Sequence, residues 1–264
     1  YLRTIALFVE SLHNGKPFNE FFLYAKNFNI QPATFLKILN DNIKNSSPEI
    51  QSLMKEFNNE TKNELWDSEK DLLEYYRKDE NYLKLKNGEI GGNLIYKYKS
   101  KNLVENSLAW LDFFEKELYK AIIAKQNNIK NPDQIRLEID EVSKFCKLKL
   151  HGLLNPKINS SQISSNFKYD ILKWIDNYET NSNLSNYKFK YEEKLFFEYT
   201  KDQILIRNDV FKRYGTSMNA LSKIVTRISN LESQFRKVRY ENDEYLRDVY
   251  KKVGETFVKY ALSN

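Results

Sequence analysis

His13 and His151 are the only imidazoles in this chain of 264 residues, and Cys146 is its only thiol. These are the first residues to ask about metal or nucleophilic chemistry. Glu10-x-x-His13 sets a carboxylate and an imidazole on one helical face, a spacing that di-iron bundles use twice. The second copy is missing, because Leu148 stands three residues before His151. A helix-end histidine beside Asn14-Gly15 is the expectation. Cys146 and His151 are five apart, which turns them to different faces of a helix, so no shared metal is expected. Cys146 is expected to be a buried structural residue. No Ser or Cys stands in an elbow or triad setting. Glu138, Asp140 and Glu141 cluster on a helix with few other polar cues, and are expected to form a solvated face.

Two further stretches have chemical potential. Gly88-Glu89-Ile90-Gly91-Gly92-Asn93 is the only glycine cluster. Backbone N–H groups at a helix start can hold an anion. No strand precedes it and no Gly-Lys-Ser/Thr follows, so the nucleotide motifs fail, and a tight turn or close packing is expected. The segment Arg207 to Tyr240 carries Arg207, Lys212, Arg213, Lys223, Arg227, Arg236, Lys237 and Arg239, with Tyr214, Phe235 and Tyr240 interleaved. Basic plus aromatic is the composition of a single-strand nucleic-acid surface. A solvated helix face, or a face docked on an acidic neighbour, has the same composition. Arg207, Arg213, Arg227, Arg236 and Arg239 are the candidate contacts to an anionic partner.

The elements that must position these residues are mostly helices. Leu2, Ile5, Phe8, Val9 and Leu12 share a face, and Asn14-Gly15 ends that helix. Pro17 opens the next, with Phe18, Phe21, Phe22, Ala25 and Phe28 as a stripe. Pro32 opens a third, with Phe35, Leu36, Leu39 and Ile43 inward. Ser46-x-x-Glu49 reads as a capping box leading to Ile50, Leu53, Met54 and Phe57. Asp67 or Ser68 caps a helix with Leu72, Leu73 and Tyr76. After Asn93 one helix is predicted to about Gln126. Another runs from Asn131-Pro132 to Asn155-Pro156. The polar tract 157–166 reads as a boundary, followed by a helix from Phe167 to Tyr178. Tyr187 to Tyr199 alternates and is aromatic, the best strand or hairpin candidate. Thr200-x-x-Gln203 caps a helix ending at Gly215. Ser217 caps another, with Met218 to Ile228, and Asn242 or Asp243 starts a last one through Leu246, Val249, Val253 and Phe257. The fold class expected is mainly α: a multi-helix, bundle-like domain with a small strand or hairpin. An all-helical lobe covers 1–156 and a smaller α+β lobe 157–264.

Composition agrees. Hydrophobic residues make up 41% and charged residues 30%, which suits a folded domain. Seven Gly and five Pro leave little for phosphate loops and favour long helices. No apolar run is long enough to span a bilayer, so no membrane partner is expected. A single cysteine allows no internal disulfide, and a reducing cytoplasm is the expected location. The net charge of +6 comes with abundant Lys, Asn, Ile and Tyr, the mix of an AT-rich genome, which weakens it as a sign of a nucleic-acid partner.

Three places, in order, bear a resemblance. They are Leu7-Phe8-Val9-Glu10-Ser11-Leu12-His13-Asn14-Gly15-Lys16-Pro17-Phe18, then Asn63-Glu64-Leu65-Trp66-Asp67-Ser68 through the glycine cluster to Tyr98, then Phe167-Lys168-Tyr169-Asp170-Ile171-Leu172-Lys173-Trp174 with the following strand and Arg213-Tyr214-Gly215. The chain resembles the C-terminal helical region of cobalamin-binding radical SAM proteins over most of 1–115 and 164–228. These are packing and capping patterns, not catalytic signatures. The resemblance implies an accessory domain that follows the catalytic barrel, shapes or caps its substrate pocket, and is not catalytic alone. It implies a 4Fe–4S cluster, S-adenosylmethionine and cobalamin in upstream domains. The family's Cys-x-x-x-Cys-x-x-Cys and Asp-x-His-x-x-Gly are absent here, so no cofactor or metal ligand maps onto this chain. The start at Tyr1, within a helix and without a methionine, adds the expectation of a piece of a longer protein. Trp66, Glu89, Asn93, Tyr96 and Asp170 are the candidate pocket residues under the resemblance. The alternative is a stand-alone helical module binding RNA or a protein.

Overall fold

The computed structural model describes residues 2–87, 90–125, 131–217, 221 and 234–241. Helix α1 (Leu2–Phe8) widens at its end into a π turn over Val9–His13, closed by the Asn14 N–H on the Val9 carbonyl at 2.8 Å. Gly15 and Lys16 then take φ of 77° and 55°, the left-handed stop that Asn14-Gly15 predicts. Next come α2 (Asn19–Lys26), α3 (Pro32–Asp41) and α4 (Pro48–Asn63). Pro32 and Pro48 each sit in a first turn, where the missing N–H costs nothing. That placement shifts the cap of α4 to Ser47. Ser46 instead donates its hydroxyl to the Ile43 carbonyl at 2.6 Å, so the predicted Ser46-x-x-Glu49 box does not form.

A short pair follows, α5 (Glu69–Tyr76) and α6 (Asp79–Lys86); the Ser68 hydroxyl caps α5 by accepting the Asp71 N–H. Helix α7 (Leu94–Ser100) is capped by the Asn93 side chain, which accepts the Ile95 N–H at 3.0 Å. The single helix expected from Asn93 to about Gln126 is broken. A second π turn, Lys101–Glu105, separates α7 from α8 (Ser107–Lys125). The cause is polar and internal. The wide turn carries Asn102, whose amide donates to Ser11 at 3.0 Å, and the Trp110 indole donates to Asn102 at 2.8 Å. Ser11 sits in the first π turn, so the two widened turns face each other across a buried, satisfied chain.

Helix α9 (Pro132–Leu150) is capped by Asn131 and stops five residues before the predicted end at Asn155. Gly152 and Leu154 take φ of 71° and 48°, and a Cβ on Gly152 would lie 2.9 Å from Ile158, so the turn needs glycine there. The largest departure from the sequence reading follows. The second half of the tract 157–166, read as a boundary, belongs to strand β1 (Gln162–Tyr169), and Phe167 opens no helix; α10 covers only Ile171–Asp176. Strand β1 pairs antiparallel with β2 (Lys188–Glu198), from Gln162 opposite Glu198 to Phe167 opposite Glu193. Pairing with an aromatic partner makes a strand of a polar sequence that has no local strand signal. Helix α11 (Lys201–Tyr214) has the full Thr200–Gln203 capping box and ends at Gly215, as predicted. Strand β3 (Lys237–Tyr240) joins the other edge of β2, giving the order β1-β2-β3. The protein is mainly α with a small antiparallel sheet. The helices expected around Met218–Ile228 and beyond Asn242 lie outside the described residues, apart from Leu221, which is buried.

Aromatic rings organise the core. Phe114 of α8 meets Phe18, Phe21, Phe22 and Phe35 at centroid distances of 4.8, 5.5, 5.8 and 5.3 Å. The core continues past residue 156. Phe145 of α9 packs on Phe197 at 5.1 Å and Phe167 at 6.4 Å, and Trp174 of α10 lies 6.5 Å from Tyr24 of α2. No helix among the described residues is long and apolar enough to cross a membrane.

Candidate functional site

Polar side chains gather at four places. The first is inside the protein. Glu138 of α9 is 4% exposed and accepts from Tyr24 Oη at 2.7 Å, Gln134 Nε2 at 2.8 Å and Ser185 Oγ at 2.6 Å. Gln134 also reaches the Tyr169 hydroxyl at 2.6 Å. Burial, and then the Glu138 charge, raise the Tyr24 phenol far above its ordinary range, so it stays a donor. Glu141 is also buried, 5% exposed, and accepts from Lys144 and from the Lys168 N–H at 2.8 Å. The solvated face predicted for Glu138, Asp140 and Glu141 is thus corrected for two of its three members. A helix lying between another helix layer and a sheet has polar positions that point inward, and only the packing shows it.

The second place is Glu20 of α2, 0% exposed, paired with Lys149 of α9 at 2.6 Å. Cys146 Sγ lies 3.1 Å from the same carboxylate. Burial and the Glu20 charge raise the thiol well above its usual range, which leaves it a poor nucleophile. His13 and Glu10 do not form a joint site. Glu10 binds Asn14 at 2.7 Å and Lys99 at 3.0 Å, while His13 is exposed at the helix end. Among the described residues no group of three or more His, Cys, Asp or Glu is placed to hold a metal. One buried thiol also does not fit the three thiolates of a radical SAM cluster.

The third place is an open groove of about 640 Å³ between α8 and α9, lined by Asp112, Glu115, Lys116, Tyr119, Lys120, Arg136, Ile139 and Asp140. Glu115 is raised by burial and by the neighbouring Asp140, against the Ser143 hydroxyl, which donates to it at 2.7 Å. Arg136 lies over Tyr119 at 4.9 Å. Such mixed charge can hold a polar group but offers no nucleophile or metal set.

The fourth is around Tyr199. Arg236 lies 4.1 Å from its ring and Arg207 5.9 Å. Arg236 donates to the carbonyls of His151, Ser160 and Ser161, and Arg207 to those of Asn155 and Ile158; Arg207 Nε has no acceptor. Both arginines are buried, at 3% and 8% exposure. They clamp the chain between α9 and β1 and are not on the surface. Of the other three arginines predicted to meet an anionic partner, Arg213 is exposed and paired with Asp209, Arg239 is partly exposed and paired with Glu198, and Arg227 lies outside the described residues.

The pocket residues suggested by the resemblance divide in the same way. Helices α4 and α7 run antiparallel: Glu60 meets Lys97 at 2.8 Å, and Glu56 meets Lys101 at 2.9 Å. That direction brings Trp66, just after α4, and Asn93 and Tyr96, at the start of α7, to one end of the molecule. Trp66 is 36% exposed, against Tyr75 at 4.9 Å. Asp170 belongs elsewhere: it caps α10 and accepts from Tyr240 beside the sheet. Glu89 lies outside the described residues. Sequence reasoning missed Glu20, Lys149 and the Glu138 partners Tyr24 and Ser185, because nothing local distinguishes them.

Together, fold and sites define a mainly helical protein whose charged interior groups are held by its own hydrogen bonds. In comparisons with known proteins, no family model, curated protein or solved structure matches this chain.

Proposed function

We propose that the chain serves as a helical accessory domain of a cobalamin-dependent radical SAM enzyme, shaping access to the substrate pocket rather than doing chemistry itself. The observation that carries this is the ordered resemblance of three segments, from Leu7, from Asn63 and from Phe167. Two features of the protein support it. The α5–α6 pair buries no large apolar side chain of its own and turns Leu73, Tyr82, Leu83 and Leu85 outward, with Leu65 and Trp66 beside it. Exposed apolar side chains on a short helix pair suit a docking role. Asn93 and Tyr96 lie at the same end, so a pocket bordered by this end would meet an aromatic, an amide and a phenol.

The upstream part would hold the iron–sulfur cluster, S-adenosylmethionine and the corrinoid. This chain would contribute shape and exclusion of water from a radical intermediate. The test is anaerobic purification of the full natural product of the reading frame that contains these residues, with assays for iron, sulfide and corrinoid. Cross-linking should then join α5–α6 to the catalytic barrel. A product with no three-cysteine motif, no cluster and no corrinoid would end the proposal.

A further inference from the structure

The three-stranded sheet has two faces of different chemistry. One packs on α9 through Phe167, Leu195, Phe197 and Val238, all buried. The pairing register sets the other. Ser164 is opposite Phe196, and Phe196 is opposite Arg239; Asn166 is opposite Lys194, and Glu198 is opposite Lys237. Residues opposite each other point to the same side, so these share the outer face. Phe196 stands at its centre, only partly exposed, and takes no part in the core cluster. Lys194 Nζ lies 5.1 Å and Arg239 Cζ 4.9 Å from its ring centroid. Lys168 continues the same face on β1, exposed between the inward Phe167 and Tyr169. Among the described residues Lys168, Lys194, Lys237 and Arg239 share this face with Glu198, which Arg239 and Gln162 engage at 3.0 and 3.3 Å, while the exposed Glu192 and Glu241 stand at its Lys194 end.

We infer that this outer sheet face binds single-stranded nucleic acid. An aromatic ring in mid-sheet gives an unpaired base a surface to stack on, and flanking cations meet the phosphates on either side. Ser164 and Asn166 add neutral hydrogen-bonding groups beside the ring. An acidic protein would satisfy the cations and leave the ring without a role. A duplex presents no free base face. The inference is independent of the accessory-domain proposal, because it rests on the sheet alone. It also differs from the arginine set read from the sequence: of the described members, Arg207 and Arg236 are interior, Arg213 is on α11, and Arg239 lies on this face.

The experiment is fluorescence anisotropy with a labelled oligouridylate of about twelve nucleotides, at salt between about 50 and 200 mM. Binding should weaken steeply with salt. Phe196→Leu should weaken it about tenfold, while Phe196→Tyr retains it. Lys194→Gln with Lys237→Gln should flatten the salt dependence, by about 0.7 in log–log slope per lost phosphate contact. Lys70→Gln, on the remote α5, should change nothing. Melting curves matched to the parent show that the variants fold. No binding at low salt would overturn the inference. So would Phe196→Leu binding like the parent, or a polyglutamate peptide competing as well as RNA, which would mark a protein-docking face instead.

Discussion

Glu138 shows what a buried carboxylate needs in order to stay in place. Three side-chain donors surround it, from α2, α9 and the segment before β2. Removing one donor leaves an acceptor short inside the protein, which costs about 1–3 kcal/mol. Tyr24→Phe keeps the ring contacts and should lose that much in denaturant unfolding; no loss would mean that the hydroxyl is dispensable. His151 gives a test by pH. Burial, and then the Arg236 charge, lower its pKa below the ordinary 6.5. The folded protein therefore binds that proton less readily than the unfolded chain does. Stability contributed by the neutral ring is present above the unfolded value and is lost as pH falls from there through the lower folded value. Melting temperature should drop from pH 7.5 to 5.5, and His151→Asn should make that drop shallower. An unchanged slope would remove His151 as its source. These residues were partly legible. The sequence marked Glu138 and His151 as polar points but set Glu138 on a solvated face, and its burial overturns that.

At the scale of elements, caps and prolines were readable because their signals are local. Thr200 and Gln203 form the box that their spacing predicts, and Thr200→Ala should cost about 1 kcal/mol in thermal or denaturant unfolding. A cost near zero would mean that tertiary contacts of α11, such as those of Arg207, hold the helix start without its cap. The π turns were not readable. They arise from Asn102 and Ser11 meeting across the interior, a contact 91 residues apart in sequence. Strand β1 escaped for a related reason, since its pairing partner lies on the far side of α10. The α5–α6 pair buries no apolar side chain, with Leu73 and Leu83 exposed at 47% and 53%. Its amides should exchange with deuterium faster than those of α8 and α9. Equal protection would mean that the pair is held by contacts stronger than its burial indicates.

For the whole molecule, the expected division near residue 156 meets a continuous core. Phe145, Phe167 and Phe197 join α9 to the sheet, and Tyr178 donates to the Leu23 carbonyl at 2.8 Å. A shared core predicts cooperative unfolding in one transition. Phe197→Ala should remove about 3–5 kcal/mol from that single transition. Two separated transitions, with only the later one affected, would show that the parts fold independently.

What the sequence determined by itself was the helical class, most of the helix starts, the long aromatic strand and the presence of a single thiol. Each follows from period, capping chemistry or residue type, all of which act within a few positions. The tertiary structure alone decided which carboxylates are interior, that two arginines clamp backbone rather than face solvent, and that the second half of a serine-rich tract is a strand. It also decided that Phe196 lies between Lys194 and Arg239. Burial and pairing are set by residues far apart in the chain, and their energies exist only once those residues have met.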